Sequence, residues 1–226
     1  VGYVVTVIEL TETELRVLGC LIERQVTTPD NYPLSLNALT LACNQRSNRD
    51  PVVDYDEKQV VRALDGLREK KLAWMVHSAG SRVTKYEHRL EEKLALPADH
   101  VGVLCLLMLR GAQTAGELKG RTSRYHVFNT GAEVEVVLHQ LSTHEHGALV
   151  VQLPLSHGAR EPRFMHLLCG EPEITLGESQ APVEAARQAV DDENRRIEAL
   201  EQEVAVLREA VASLQEDVAA FKSQFE

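Results

Sequence analysis

Apolar residues in the first third of the chain recur with the 3.6-residue period of amphipathic helices, broken by short polar loops. Leu15, Val17, Leu18, Cys20, Leu21 and Ile22 form one stripe, predicting a helix from Thr11 or Thr13 to about Gln25. Thr11 and Glu14 have the spacing of a capping box, in which each side chain accepts from the other's free backbone N–H. Pro29 and Tyr32-Pro33 end this helix, and a short second one follows from Ser35 to about Asn44, with Leu36, Leu39 and Ala42 on one face. Beyond a polar loop, Gln45 to Pro51, a third helix is predicted with Asp54 or Asp56 as its cap. It runs to about Lys71 with Val60, Val61, Leu64 and Leu67 inward. Two strand candidates, residues 72–77 and 83–87, hinge at Ser78-Ala79-Gly80-Ser81-Arg82. Three helices followed by a glycine-containing hairpin is the order of a winged helix, a helix-turn-helix variant.

The same order then repeats. Residues 101–109 predict an apolar helix, 115–119 a short one, and 132–143 a longer one carrying Val134, Val137, Leu138 and Leu141. Strands at 149–153 and 163–168 follow, around a turn at 154–160. Leu64 and Leu67 correspond to Leu138 and Leu141, Tyr86 and His88 to Phe164 and His166, and Gly80 to Gly158. A period of about 75 to 80 residues indicates tandem domains, because solenoid repeats are about 20 to 50 residues long. Past a proline- and acid-rich linker the pattern changes to heptads. Val183, Val190, Ile197, Val204, Val211, Val218 and Phe225 occupy one seam position, and Ala186, Glu193, Leu200, Leu207, Leu214 and Phe221 the other. β-Branched residues at the first position with Leu at the second favour a parallel two-stranded coiled coil. The charge pairs Arg196 with Glu201, Glu203 with Arg208 and Asp217 with Lys222 fit that orientation. The competing reading packs this helix along its own chain.

The expected fold is therefore mainly α with small β-hairpin wings. An extended arm occupies residues 1–10, winged-helix domains 11–88 and 89–170, a linker 171–182 and a coiled-coil helix 183–226. Residues 89–97 connect the two domains. A homodimer is expected to form through Val190, Ile197, Leu200, Val204, Leu207, Val211, Leu214, Val218 and Phe221.

The net charge of −10 changes its meaning once divided along the chain. Residues 1–88 carry 11 Lys and Arg against 12 Asp and Glu, residues 89–170 carry 8 against 8, and residues 171–226 carry 5 against 14. The acidity lies in the tail, so the overall charge argues neither for nor against nucleic-acid binding. No run of about 18 uncharged apolar residues is present, and no membrane partner is expected. Four dispersed cysteines, Cys20, Cys43, Cys105 and Cys169, form no C-x-x-C pair and fit a packing role in the reducing cytoplasm.

With the third helix's apolar stripe turned inward, Arg62 lies opposite it, flanked by Lys58, Gln59, Asp65, Gly66 and Glu69. Arg46 and Arg49 precede the helix, while Arg82 and Lys85 lie on the wing. The expected DNA-contacting set is Arg46, Arg49, Lys58, Gln59, Arg62, Arg82 and Lys85, with double-stranded DNA as partner. Asp54, Asp56, Glu57, Asp65 and Glu69 share the neighbourhood, and a solvated mixed-charge helix is the plainer alternative. The second domain's third helix offers Glu133 and Glu135 and no Lys or Arg before His139; packing, dimerisation or partner docking suits it better. His139, His144 and His146 resemble metal ligands only loosely, with no Cys or carboxylate at finger spacing. No nucleotide-binding, nucleophile-elbow or zinc-protease motif occurs, so neither an enzyme, a cofactor nor a metal is expected. The functional alternative is an adaptor that docks an unidentified protein through its winged helices and acidic coiled coil.

The run Leu15-Arg16-Val17-Leu18-Gly19-Cys20-Leu21-Ile22-Glu23-Arg24, then Thr28-Pro29-Asp30-Asn31-Tyr32-Pro33-Leu34-Ser35-Leu36-Asn37-Ala38-Leu39 and Cys43-Asn44-Gln45-Arg46-Ser47-Asn48-Arg49-Asp50-Pro51, closely resembles the bacterial YceH family. The likeness continues through Arg62-Ala63-Leu64, Arg82-Val83-Thr84-Lys85-Tyr86, Phe128-Asn129 and Glu171-Pro172 into the tail. It implies a tandem winged-helix fold in a bacterial cytoplasmic protein and brings no catalytic residues. Segments 31–33 and 44–51 stand out as family features flanking the short second helix.

Overall fold

The computed structural model describes residues 8–77, 83–155 and 158–170. The linker 171–182, the heptads 183–226, the hinge 78–82 with Arg82, and residues 1–7 of the arm lie outside the described residues.

Helix starts are set by side chains that accept from otherwise unpaired backbone N–H groups. Thr11 and Glu14 form the predicted capping box on α1 (Glu12–Thr27). After a 3-10 turn at Pro29–Asn31, the two-residue strand β1 (Leu34–Ser35) leads into α2 (Leu36–Cys43), which Ser35 caps by accepting from the Ala38 N–H. Of the two candidate caps for α3 (Glu57–Glu69), Asp56 serves, in a second capping box with Gln59. The buried face of α3 is Val60, Ala63, Leu64 and Leu67. Ala63 takes the place expected for Val61, because i, i+3, i+4, i+7 counted from Val60 falls on it. Strands β2 (Ala73–Val76) and β3 (Lys85–His88) pair antiparallel, and β1 joins the free edge of β3 with Leu34 opposite Tyr86.

The second set repeats this plan. The connector contains a short helix, α4 (Leu90–Leu94), that tucks Leu90 and Leu94 into the core. It is followed by α5 (Ala98–Arg110), α6 (Ala115–Arg121), a 3-10 turn at Thr122–Arg124 and α7 (Gly131–Ser142). Strands β4 (Val150–Gln152) and β5 (Phe164–His166) form the hairpin. Gln113 bridges to Phe164 through two backbone bonds of 3.0 and 2.8 Å, where Leu34 meets Tyr86 in the first set, and Thr114 caps α6 as Ser35 caps α2. Leu64 and Leu67 are buried, as are Leu138 and Leu141, and His88 and His166 are both buried at the ends of their strands. The described chain is thus mainly helical with two small antiparallel sheets.

Both sets belong to one compact unit and share a continuous core, because α1 and α5 pack along one another. Gly19 permits the approach: a Cβ there would lie 2.8 Å from the Leu109 Cδ2. The Cys105 thiol donates to the Gly19 carbonyl at 3.4 Å, and the end of the arm joins the second set through Leu10 N–H to the Leu168 carbonyl at 2.6 Å. Fully burying one leucine contributes about 1.5–3 kcal/mol. Leu18, Leu21, Leu104 and Leu107, all fully enclosed, accordingly make the α1–α5 pair the centre of the unit.

Candidate nucleic-acid interface

The outward face of α3 presents Lys58 and Arg62, one turn apart and both exposed, and neither makes an ion pair with a described residue. Gln59 is also exposed, but its side-chain carbonyl accepts from the Asp56 N–H at 2.9 Å, so its first task is to hold the helix start. Asp65 is engaged by Arg68 at 3.2 Å, which turns that acid along the helix surface. Arg46 is exposed in the loop before α3. Lys85 is half-buried at the start of β3, opposite both Ser35 and Val76. Arg46, Lys58, Arg62 and Lys85 thus remain as accessible or partly accessible cations on α3, its preceding loop and the hairpin. Asp54, Asp56 and Glu57 remain exposed beside them, so the face has mixed charge.

Arg49 departs from the expectation. It is buried, with its side chain 0% exposed, and it forks onto Glu23 of α1 at 3.0 and 2.5 Å. It also donates to the Ala42 carbonyl at 3.3 and 3.1 Å and to the Asn48 carbonyl at 2.9 Å. Its guanidinium is spent within the fold and is absent from the outward face. Burial opposes its charge, but the hydrogen-bonded Glu23 outweighs that and holds the guanidinium firmly protonated. A sequence places Arg49 in a polar loop; only the fold brings Glu23, 26 residues earlier, against it.

The segment 44–51 is a largely exposed loop tied to the rest of the fold. Asn44 clamps the far end of the loop, donating to the Tyr55 carbonyl and accepting the Tyr55 N–H, each at 2.8 Å. Arg24 donates to Gln45 at 3.0 Å, the Asp50 N–H reaches the Leu109 carbonyl at 2.8 Å, and Arg110 donates to Asn48. The loop therefore positions α3 and fastens it to the second set. Segment 31–33 has a similar role, since the Tyr32 hydroxyl accepts the His88 N–H at 2.7 Å and so fixes the end of β3.

In the second set the equivalent face is poor in cations. Val136, which stands where Arg62 stands in the first, is 57% exposed, with Glu135 beside it. Arg121 is drawn towards Gln113, to which it donates at 2.6 Å. His144 contacts the Leu94 carbonyl at 3.1 Å, and among the described residues no group of three or more His, Cys, Asp or Glu is placed to hold a metal ion. Cys20, Cys43 and Cys105 are buried free thiols. Within the described residues no helix is long and apolar enough to cross a membrane.

Two buried charges escape the sequence reading. Glu14 is buried beneath Gly66 of α3 and receives Lys70 Nζ at 2.6 and 2.7 Å, tying α1 to the C-terminal end of α3. Burial pushes its carboxyl up, but Lys70 and Thr11 together leave it below the ordinary carboxylate value. Arg16 is buried, with one nitrogen on the Pro51 carbonyl at 2.5 Å. For Glu14 the sequence shows only its capping-box spacing from Thr11, and for Arg16 the only hint is a charged residue beside an apolar helical stretch.

These features define a mainly helical protein in which two sets of three helices and a hairpin are fused through one core. More particularly, the chain belongs to the family described as a protein of unknown function, DUF480, whose pattern matches residues 10–168. It is 52% identical over 217 residues to a UPF0502 protein of Geotalea uraniireducens, covering 96% of this chain and 98% of the relative. A UPF0502 protein of Geobacter sulfurreducens is 50% identical over the same length and shares, and one of Vibrio campbellii 51% identical over 172 residues, 74% of this chain and 79% of the relative.

Proposed function

We propose that the chain is a cytoplasmic, dimeric, DNA-binding or transcription-associated protein, with two winged-helix units and a C-terminal coiled coil that pairs two copies. The observation that carries this reading is the exposed Lys58–Arg62 face of α3. It lies in the position that reads the major groove in helix-turn-helix folds, on a helix whose start is capped by Asp56 and whose loop is clamped by Asn44. The third strand β1 beside the hairpin and its counterpart bridge at Gln113 support the winged-helix assignment of both sets. Arg46 and Lys85 would add phosphate contacts on either side. The second unit, with Val136 and Glu135 outward, would serve packing and support.

Fluorescence anisotropy of a mixed-sequence DNA duplex, titrated across a salt series, tests this. Wild type should bind, with an affinity that falls steeply as salt rises, because cations that neutralise phosphates release counterions. Arg62→Glu should abolish binding while leaving the circular dichroism unchanged. Arg62 is exposed and unpaired among the described residues, so loss of fold would not account for the result. Undiminished binding by that variant would exclude α3 as the reader.

A second reading, an adaptor without DNA binding, draws on Trp74 of β2, 58% exposed, and Leu41 of α2, 66% exposed. Large exposed apolar side chains suit a protein partner, whose binding would be insensitive to salt.

A further inference from the structure

A cavity of about 300 Å³ lies between the two sets, within the same compact unit. Its first wall is α1 and the stretch from Asp50 to Tyr55; its second is the end of α5, Gly111, β5 and Cys169. The volume is at the lower end of small-molecule sites. Leu15, Val53, Tyr55, Met108 and Met165 give it an apolar body. Two polar side chains in that lining are left incomplete. Arg16 is 4% exposed and its Nη1 has no hydrogen-bond partner, while Nη2 is spent on the Pro51 carbonyl. His166 is also 4% exposed, and its Nδ1 is likewise unpartnered.

Such groups are costly to leave unmet. A buried guanidinium ordinarily has a carboxylate beside it, as Arg49 has Glu23 in the same unit, yet no described carboxylate lies within ion-pair distance of Arg16. Arg16 and His166, the residues that carry the two unmet nitrogens, both line this one cavity, and they are contributed by different sets: Arg16 by α1 and His166 by β5. Burial lowers His166 to about 4, so it meets a ligand as a neutral ring. The remaining titratable groups lining the cavity are Glu12, Asp50, Tyr55 and Cys169. Glu12 and Asp50 are exposed, so they sit at the rim and would repel a second negative charge on an occupant. Cys169 is exposed at the rim, and partial desolvation together with the nearby Glu12, Glu14 and Glu9 raises its thiol to about 11.

We propose that this cavity binds a small organic acid bearing a single carboxylate and an apolar body. The carboxylate takes the free Arg16 nitrogen, one of its oxygens meets the His166 ring, and the apolar body lies against Met108, Met165 and Tyr55. Arg16 supplies a planar fork that matches a carboxylate, and charge-assisted hydrogen bonds of this kind are the strong ones. The assignment does not rest on DNA binding and stands or falls separately from it.

The test is calorimetric titration and thermal shift of the full chain with benzoate and with hexanoate, using benzyl alcohol as the uncharged counterpart and inorganic phosphate as the simple anion. At least one of the two carboxylates should bind and raise the melting temperature, and benzyl alcohol and phosphate should not. Arg16→Met, which removes a buried charge and keeps the side-chain volume, should fold and weaken binding about tenfold or more. Val53→Trp, placed in the loop wall with Arg16 intact, should block binding by filling the cavity. Should Arg16→Met fail to fold, Arg16→Lys with Val53→Trp decides the matter, because lysine keeps the charge and loses the fork. Lack of binding by both carboxylates, equal binding of benzyl alcohol or phosphate, or wild-type affinity in the Arg16 and Val53 variants would overturn the proposal.

Discussion

Replacing Arg49 by Met separates a structural role from a nucleic-acid role at a position where sequence and structure point in different directions. The guanidinium makes five hydrogen bonds, two to Glu23, two to the Ala42 carbonyl and one to the Asn48 carbonyl. Without it, the Glu23 carboxylate, 15% exposed, has no described cation in reach, and the Ala42 carbonyl loses its side-chain donor. Breaking a buried pair by removing one partner costs about 3–5 kcal/mol. That is a large part of a typical total of about 5–15 kcal/mol. For a unit of this size it corresponds to a fall in melting temperature of about 6–20 °C, at roughly 2–4 °C per kcal/mol. Removing both partners in Arg49→Met/Glu23→Met should recover a substantial part of the loss, because no charge is then stranded. Urea unfolding followed by circular dichroism gives both numbers. An Arg49→Met protein within about 0.5 kcal/mol of wild type, a shift ordinary for surface changes, that had nonetheless lost DNA affinity would refute the structural assignment.

Three further outcomes follow from the same packing. Gly66→Ala would drive a Cβ into the Glu14 carboxylate and displace it from Lys70, and Gly102→Ala would place one 2.6 Å from the Tyr125 Cβ. Each should destabilise by about 1–3 kcal/mol in urea titrations, with Gly102 the less forgiving because its neighbour lies next to the backbone. Burial, aided at His88 by the Arg89 charge, lowers His88 and His166 to about 4, from 6.5 in the open chain. The unfolded chain therefore takes up these protons first: stability is full above about pH 6.5 and falls as the pH drops towards 4, by up to about 3 kcal/mol for each ring. Unfolding measured at pH 7, 5.5 and 4.5 should show a slope that flattens in His88→Gln and His166→Gln; an unchanged slope would count against burial as its source. Ser35→Ala and Thr114→Ala, equivalent caps in the two sets, should each cost about 1 kcal/mol, read from the same titrations.

Much of the fold is legible in the sequence because its signals are local. Thr11 with Glu14, Ser35, and Asp56 with Gln59 announce helix starts through neighbours three residues away, and the stripes from Leu15 to Ile22 and from Val60 to Leu67 announce the faces. The matching of Tyr86 and His88 with Phe164 and His166 also carries over, down to the burial of both histidines. The two-residue β1 and the five-residue α4 are too short to display a period. Of the candidate site, the exposure of Lys58 and Arg62 follows from the helix stripe alone. The withdrawal of Arg49 onto Glu23 and the burial of Arg16 depend on contacts between elements distant in sequence. A polar loop and a charge inside an apolar helix read alike whether the side chain ends in solvent or in the core. The fusion of the two sets through α1 and α5 is hidden for a similar reason: an apolar face reveals that it is buried, and not against what.

The proposed meeting of α3 in the first set with DNA, and not of α7 in the second, can be tested by one paired comparison. Arg62→Glu and Val136→Glu place the same charge at equivalent exposed positions of the two sets, and the dissociation constant for a DNA duplex is measured for each by anisotropy at low salt. Arg62→Glu should abolish binding and Val136→Glu should leave it within about twofold of wild type, both folded by circular dichroism. Loss of binding in Val136→Glu with retention in Arg62→Glu would contradict this proposal and move the interface to the second set.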